Sequence, residues 1–390
     1  MSCNNEAQKQ ATESEVAVVI VPFPAQGHLN QLLHLSRLVS SYNIPVHYVT
    51  TAIHSRQAKL RVQGWDSLSS PLINFHEFSV PAFDSPPANP HSAFQFPSHL
   101  VPSFYSALHL RKHVAELLSA LSTTAKRVVV IYDYLIPYVG QDVASLPNGE
   151  AYSFHPLSAF RIFCETVGES GFETIDDQVV KQLPSILSTL SSEVMEFFLK
   201  QREDLVQYSS GALFNTCKAI EAPFLDVLAK GNEKQWAIGP FNPMDLRKAR
   251  DSSYVRHKCL EWLDKQVRES VIYVSFGTTT SLTDDQVESL AIGLEKSGQK
   301  FIWVLRDADK GDIFLNDVLK IGVVVKDWES RDKLVESSTI ENAVRELMAS
   351  EKGEDIRKRA AELGSAVKRS VAIGGDTRAE IDNFIAHIQR

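Results

Sequence analysis

The sequence predicts an α/β protein built on doubly wound parallel sheets, and three observations carry that prediction. The apolar runs Val16–Val21 and Val128–Tyr132 are continuous rather than alternating, as strands covered on both faces are. A turn and a stretch with apolar residues at helical spacing follow the first of them. Strand and helix patterns then alternate along a chain of 390 residues, enough for two domains of ordinary size.

Element by element, Val16–Val21 is the first buried strand, broken by Pro22, Pro24 and Gly27. A helix follows from about Leu29, with Leu29, Leu32, Leu33 and Val39 largely on one face. Pro45–Thr50 and Leu72–Phe78 read as the next two strands, and the Pro-, Ser- and His-rich stretch 82–102 as a loop. Phe104–Leu121 is an amphipathic helix, and Arg127–Tyr132 is a buried strand ending at Asp133. Residues 155–210 read as mostly helical, and Ala212–Asn215 and Trp236–Gly239 as short strands closing the first domain.

The boundaries read are a disordered segment 1–15, a first domain 16–241, a linker 242–256 and a second domain 257–390. The second domain has a clear βαβ unit. Val271–Phe276 is a strand, Gly277–Thr280 a turn, and Thr283 with Gln286 a capping box for a helix that Gly298 ends. Phe301–Leu305 is the next strand, and Gly322–Asp327 one more. Helices follow near 338–350 (Ser338 and Glu341 at capping-box spacing), 354–371 and 377–389, with Gly374-Gly-Asp376 as a helix break. Three strands cannot cover the inner faces of so many helices. Either some helices pack on the first domain, the last one being the candidate, or sheet-forming chain is missing.

Composition narrows the function. Hydrophobic residues make up 44% and charged residues 23%, as in ordinary globular proteins. A net charge of −8 argues against a nucleic-acid partner. Cys3, Cys164, Cys217 and Cys259 form no C-x-x-C pair, which excludes a zinc ribbon and fits a reducing compartment. The first fifteen residues lack the basic start and apolar core of a secretory leader, and Val16–Val21 is too short to span a bilayer. The expectation is a cytoplasmic, soluble monomer with no membrane partner and no metal.

Two residues stand out chemically. His28 lies after a strand, in a Gly-containing turn at a helix start, the edge of an open α/β sheet where ligands bind. A histidine there has a pKa suited to general-base work, and the competing reading is an exposed or capping histidine. Asp133 ends a different buried strand and falls on the same edge, where a carboxylate can orient an imidazole or cap the following helix. Ser275 and Gly277-Thr-Thr-Thr280 form a strand-to-helix turn whose N–H groups and hydroxyls suit a diphosphate, or an ordinary Ser/Thr turn. His47 and His76 sit in strands without paired ligands and read as structural.

Several motifs together resemble the plant UDP-dependent glycosyltransferases of GT-B architecture. They are Pro22-Phe-Pro-Ala-Gln-Gly-His-Leu-Asn30, Ile238-Gly-Pro-Phe241, Cys259-Leu-Glu-Trp-Leu-Asp264, Val271-Ile-Tyr-Val-Ser-Phe-Gly-Thr278 and Phe301-Ile-Trp-Val-Leu-Arg306. Glu341–Met348 fits as well. Tyr152–Phe160, Arg306–Phe314 and Phe384–Ile388 are similar to the zeatin O-glycosyltransferases within that family. The resemblance implies two Rossmann-like domains and transfer of glucose or xylose from a UDP-sugar to a hydroxyl of a small, cytokinin-like metabolite, with inversion and without a cofactor. It assigns His28 as base and Asp133 as its orienting partner. It puts the donor against Gly27, Ser275, Gly277 and Thr278, and the acceptor near Phe154, His155 and Phe160.

One departure is large. The family's donor box runs from Trp-Ala-Pro-Gln through His-Cys-Gly-Trp-Asn-Ser to a closing Asp-Gln, and no part of it occurs here. Phe314-Leu-Asn-Asp317 reads as a junction across it, leaving the second domain a truncated donor domain with an incomplete sheet. The alternative function is therefore a chain that binds acceptor but not donor.

Overall fold

A computed structural model describes residues 14–61, 70–84, 89, 91, 98–166, 190–202, 208–231, 234–241, 258–277, 282–304, 320–323, 325 and 333–390. Among the described residues, the first half forms a parallel sheet of seven strands: β1 (Ser14–Val21), β2 (Val46–Thr51), β3 (Ile73–Phe78), β4 (Ala125–Asp133), β5 (Gly149–His155), β6 (Gly211–Phe214) and β7 (Gln235–Ala237). Their order across the sheet is β3-β2-β1-β4-β5-β6-β7. Chain order therefore reverses between β1 and β4, the topological switch point of a doubly wound sheet. Ladder pairing runs from Ser14 opposite Ala125 to Val21 opposite Tyr132, so the two strands end together.

Helices cover both faces. On one, α1 (Gln26–Ser40) sends Leu29, Leu32 and Leu33 onto Val18, Ile20, Val129, Ile131, Tyr152 and Phe154. On the other, α3 (Val101–Leu108), α4 (Leu110–Ser122) and α5 (Tyr138–Ala144) bury Phe104, Val114, Leu118, Val139 and Val143 against Val19, Val21, Val128 and Val130. The helix α2 (Ala52–Arg61) follows β2. The single helix read over 104–121 is two helices, broken at His109. Each of these inward apolar side chains contributes roughly 1.5–3 kcal/mol.

Strand β5 is absent from the sequence reading. Its sequence Gly-Glu-Ala-Tyr-Ser-Phe-His interleaves polar residues that find partners only in the tertiary fold. Glu150 accepts from the guanidinium groups of Arg127 and Arg390, both at 2.6 Å. After it come α6 (Ala159–Thr166), α7 (Ser192–Arg202) and α8 (Lys218–Gly231). Much of the 155–210 region read as helical lies outside the described residues.

The second unit contains α9 (Lys258–Leu263), β8 (Val271–Ser275), α10 (Asp284–Lys296), β9 (Lys300–Val304), α11 (Ser337–Ala349), α12 (Glu351–Val371) and α13 (Asp376–Gln389). The Thr283–Gln286 capping box is formed in both directions. The one read at Ser338 is not: α11 starts a residue earlier, with Glu336 as N-cap and no side-chain cap bond.

Among the described residues, β8 pairs only with β9. Gly322, Val323 and Val325 lie in no strand, so the strand read over 322–327 is not found at those positions. Val274, Phe301 and Trp303 pack on Leu290, Leu294 and Ile340 of α10 and α11. Gly293 lets those helices touch, since a Cβ there would stand 2.6 Å from Cβ of Ile340. The opposite face of the pair is open, with Tyr273 67% exposed. The last helix, α13, does not join this small sheet. Its Ile381, Phe384, Ile385 and Ile388 sit in the first sheet's core beside Tyr152 and Trp236.

Candidate active site

The switch point between β1 and β4 holds the candidate site. Beyond Val21 the chain turns through Pro22-Phe-Pro into α1, whose N-cap, Ala25, offers no side-chain cap. His28 occupies the first turn, its N–H donating to Ala25 O at 2.9 Å. Asp133 closes β4. Its Oδ2 lies 2.7 Å from His28 Nδ1, and its Oδ1 accepts from the N–H of Leu135 at 3.1 Å. The Asp133 side chain is fully buried and that of His28 is 15% exposed. With Nδ1–H donated to the carboxylate, the lone pair of Nε2 is left to accept a proton, and a positive charge on the ring is stabilised by the anion behind it.

Helix α1 is held at several points. Tyr48 Oη donates to Leu29 O at 3.0 Å, Gln57 Nε2 to Gln26 Oε1 at 2.8 Å, and Asn215 Nδ2 to Gln31 Oε1 at 2.5 Å. Asn215 Oδ1 also accepts from Phe241 N–H at 2.8 Å, joining α1 to the chain after β7. Beside His28 stands an aromatic wall. The Phe23 ring is 5.2 Å from the imidazole and 4.5 Å from Phe104, and Phe197 and Phe198 of α7 extend it. At the end of β2, Thr51, His54 and Ser103 form a buried relay, with His54 Nδ1 2.8 Å from Thr51 and Nε2 3.0 Å from Ser103. Burial drives the His54 pKa down to about 4, so this imidazole is neutral.

The remaining residues read from the sequence are placed as follows. Phe154, opposite Asp133 in the β4–β5 ladder, is fully buried in the core and stacks on Phe241 at 6.0 Å. His155 points to the other face of the sheet, between Tyr134 and Phe214 at 5.1 and 4.7 Å. Its pKa is driven down to about 3 by burial, and its Nδ1 has no hydrogen-bond partner among the described residues. Phe160 is half-buried on α6 against Phe224. Gly27 is exposed, and a Cβ there would meet nothing within 4 Å. Ser275 is exposed at the end of β8, Gly277 turns the chain with φ of 77°, and Thr278 lies outside the described residues.

Sequence reasoning missed Gln31, Asn215, the His54 relay and Glu221. The last is a buried carboxylate whose oxygens accept from the N–H groups of Ala159 and Phe160, both at 3.0 Å. An isolated Glu in a helical stretch carries no signal of burial.

Residues 14–243 match the family described as Glycosyltransferase, N-terminal domain. The chain is 41% identical to the zeatin O-glucosyltransferase of Phaseolus lunatus, with 97% of this chain and 98% of that protein covered. The chain belongs to the plant UDP-dependent glycosyltransferases. A zeatin O-xylosyltransferase of Phaseolus vulgaris is 40% identical over 97% of this chain and 99% of its own length. Among solved structures, the Medicago truncatula glycosyltransferase complexed with UDP-glucose superposes with a TM-score of 0.69 at 17% identity, covering 98% of this chain and 99% of that one. A Phytolacca americana glycosyltransferase complexed with UDP-2-fluoro-glucose and pterostilbene gives 0.73 at 18% identity, covering 96% and 99%. These neighbours share the GT-B fold with this glycosyltransferase chain. The alignment with the Phaseolus lunatus protein runs over 457 positions, more than the 390 residues here, with both proteins matched almost end to end. The surplus positions therefore fall inside the alignment rather than at its ends.

Proposed function

We propose that the chain acts on a small hydroxylated metabolite of the zeatin type, with His28 as general base and a UDP-sugar as donor. The carrying observation is the 2.7 Å contact between His28 Nδ1 and the buried Asp133 carboxylate. In the proposed step Nε2 of His28 takes the acceptor hydroxyl proton. The freed oxygen bonds to the anomeric carbon from the face opposite UDP, and UDP departs with the electron pair of the broken bond, so configuration inverts. The aromatic wall beside His28 suits a planar acceptor. No resident cofactor is needed, since the donor is itself a substrate. The reaction proposed is that of a monomer in the cytosol.

The test is transfer from radiolabelled UDP-glucose and UDP-xylose to trans-zeatin by purified chain and by His28→Ala. Product formation lowered about 10²- to 10⁴-fold by the substitution supports the base assignment. Equal rates for the two proteins overturn it.

A second reading rests on the second unit. Support comes from the open face of the β8–β9 pair, the missing donor box and the internal surplus of the longer relatives. On this reading the chain holds acceptor at the first sheet and performs no transfer by itself. Calorimetry separates the two: zeatin binding without UDP binding supports the second reading, and micromolar UDP binding supports the first.

A further inference from the structure

Glu221 is an unusual group for its surroundings. It is 1% exposed, and no salt bridge joins it among the described residues. Burying an unpaired carboxylate costs several kcal/mol unless charge-assisted hydrogen bonds offset it. Both oxygens are so used, on the N–H groups of Ala159 and Phe160, 62 and 61 residues away. The backbone bends to deliver it. Glu221 has φ −132° and ψ 26° inside α8, and Pro223 follows.

A simple helix cap does not require this arrangement, because α6 already has a local one. Ser158 Oγ accepts from Arg161 N–H at 3.2 Å. What the second, distant cap adds is a fixed connection between β5 and α6. That connection leaves the sheet immediately beyond Phe154 and His155, one strand spacing (about 5 Å) from Asp133. It lies on the edge that carries His28. Tyr134 N–H, donating to Phe154 O at 3.0 Å, ties the Asp133 turn to the same place.

We propose that Glu221 is a positioning residue for the acceptor. Reaching from α8, it clamps the start of α6 and so sets a second wall of the acceptor site, separate from the aromatic one of Phe23 and Phe104, on the sheet edge of the His28–Asp133 pair. The inference rests on the acceptor reading above. The positive end of α6 is thereby occupied by a carboxylate of the chain itself.

The test titrates trans-zeatin into wild-type chain, Glu221→Gln and Glu221→Ala by calorimetry, each with and without excess formate. The expected result is Kd raised about tenfold in both variants, two charge-assisted bonds being weakened or lost. Formate restores affinity in Glu221→Ala alone, by filling the vacated carboxylate position. Unchanged Kd in both variants, or weakening that formate does not relieve, overturns the role of Glu221. Absence of zeatin binding by the wild-type chain overturns the acceptor reading itself. Should Glu221→Ala fail to fold, amide exchange in the wild-type chain decides. Zeatin slows exchange at Ala159 and Phe160 if the clamp positions the acceptor wall, and unaltered exchange there overturns it.

Discussion

His387 and Tyr152 meet at 3.0 Å although 235 residues separate them, the imidazole Nε2 against the phenol oxygen. Tyr152 in turn donates to Glu150 Oε2 at 2.6 Å, so the ring N–H of His387 is the donor in the first contact. Around this pair the rings of Trp236 and Phe384 stand edge-on at 5.2 Å, and Phe384 and Tyr152 at 5.4 Å. Helix α13, last in the chain, is thus part of the first sheet's core.

Truncating Phe384 is therefore expected to weaken the first domain. Phe384→Ala removes a fully buried ring and should cost about 3–5 kcal/mol. The check is urea unfolding followed by tryptophan fluorescence, in which Trp236 reports locally. A midpoint equal to that of the wild-type chain would show that α13 is only loosely applied.

Replacing Asp133 with Asn keeps the side chain's size and removes its charge. In the proposed mechanism the imidazolium of His28 then has no anion behind it, and the tautomer with Nδ1–H is no longer enforced. Transfer is expected to fall roughly 10²- to 10⁴-fold, with zeatin affinity retained. The measurement pairs turnover with calorimetry. Loss of affinity in step with turnover would place Asp133 in binding instead.

Acid should destabilise the first domain through its buried histidines. Burial lowers His47 and His54 from 6.5 to about 4, and His155 from 6.5 to about 3. Neighbouring His76 adds to the effect at His47. Between those values and 6.5 the unfolded chain binds more protons, so the stability held above pH 6.5 is lost as pH falls towards 4 and then 3. Melting temperature measured across this window should drop steadily, and His54→Gln should flatten the slope. A melting temperature constant from pH 7 to about 4.5 would contradict the buried, neutral assignment.

The two-strand sheet should open easily. With Tyr273 67% exposed and no described partner beyond β9, the β8 amides have little cover. Hydrogen exchange on the intact chain is expected to be much faster at Val271–Ser275 than at Val16–Val21, which is paired on both sides within the larger sheet. Equal protection at the two strands would mean that something else covers β8.

Where the sequence was easy to read, the physics was local. Val16–Val21 and Val128–Tyr132 announce themselves because both faces of each strand are covered, and His28 and Asp133 follow from lying at the ends of such strands. Thr283 and Gln286 are adjacent enough for their reciprocal bonds to be foreseen. Strand β5 was hidden because Glu150 depends on Arg127 and Arg390, and His155 on an aromatic slot assembled from Tyr134 and Phe214. Glu221 was hidden for the same reason: its partners are chosen by the fold and not by spacing. Phe154 is placed near the acceptor by the family resemblance, yet the pleat of β5 turns it into the core.

The lodging of α13 against β1, β5 and β7 bears on what a protease would do to this polypeptide. A single cut between β7 and α12 severs the backbone but leaves each fragment gripping the same apolar seam. Such nicked material should elute from a sizing column as one species and fall into two bands only in detergent. The carboxyl-terminal fragment would then act as a non-covalent subunit of its own amino-terminal half.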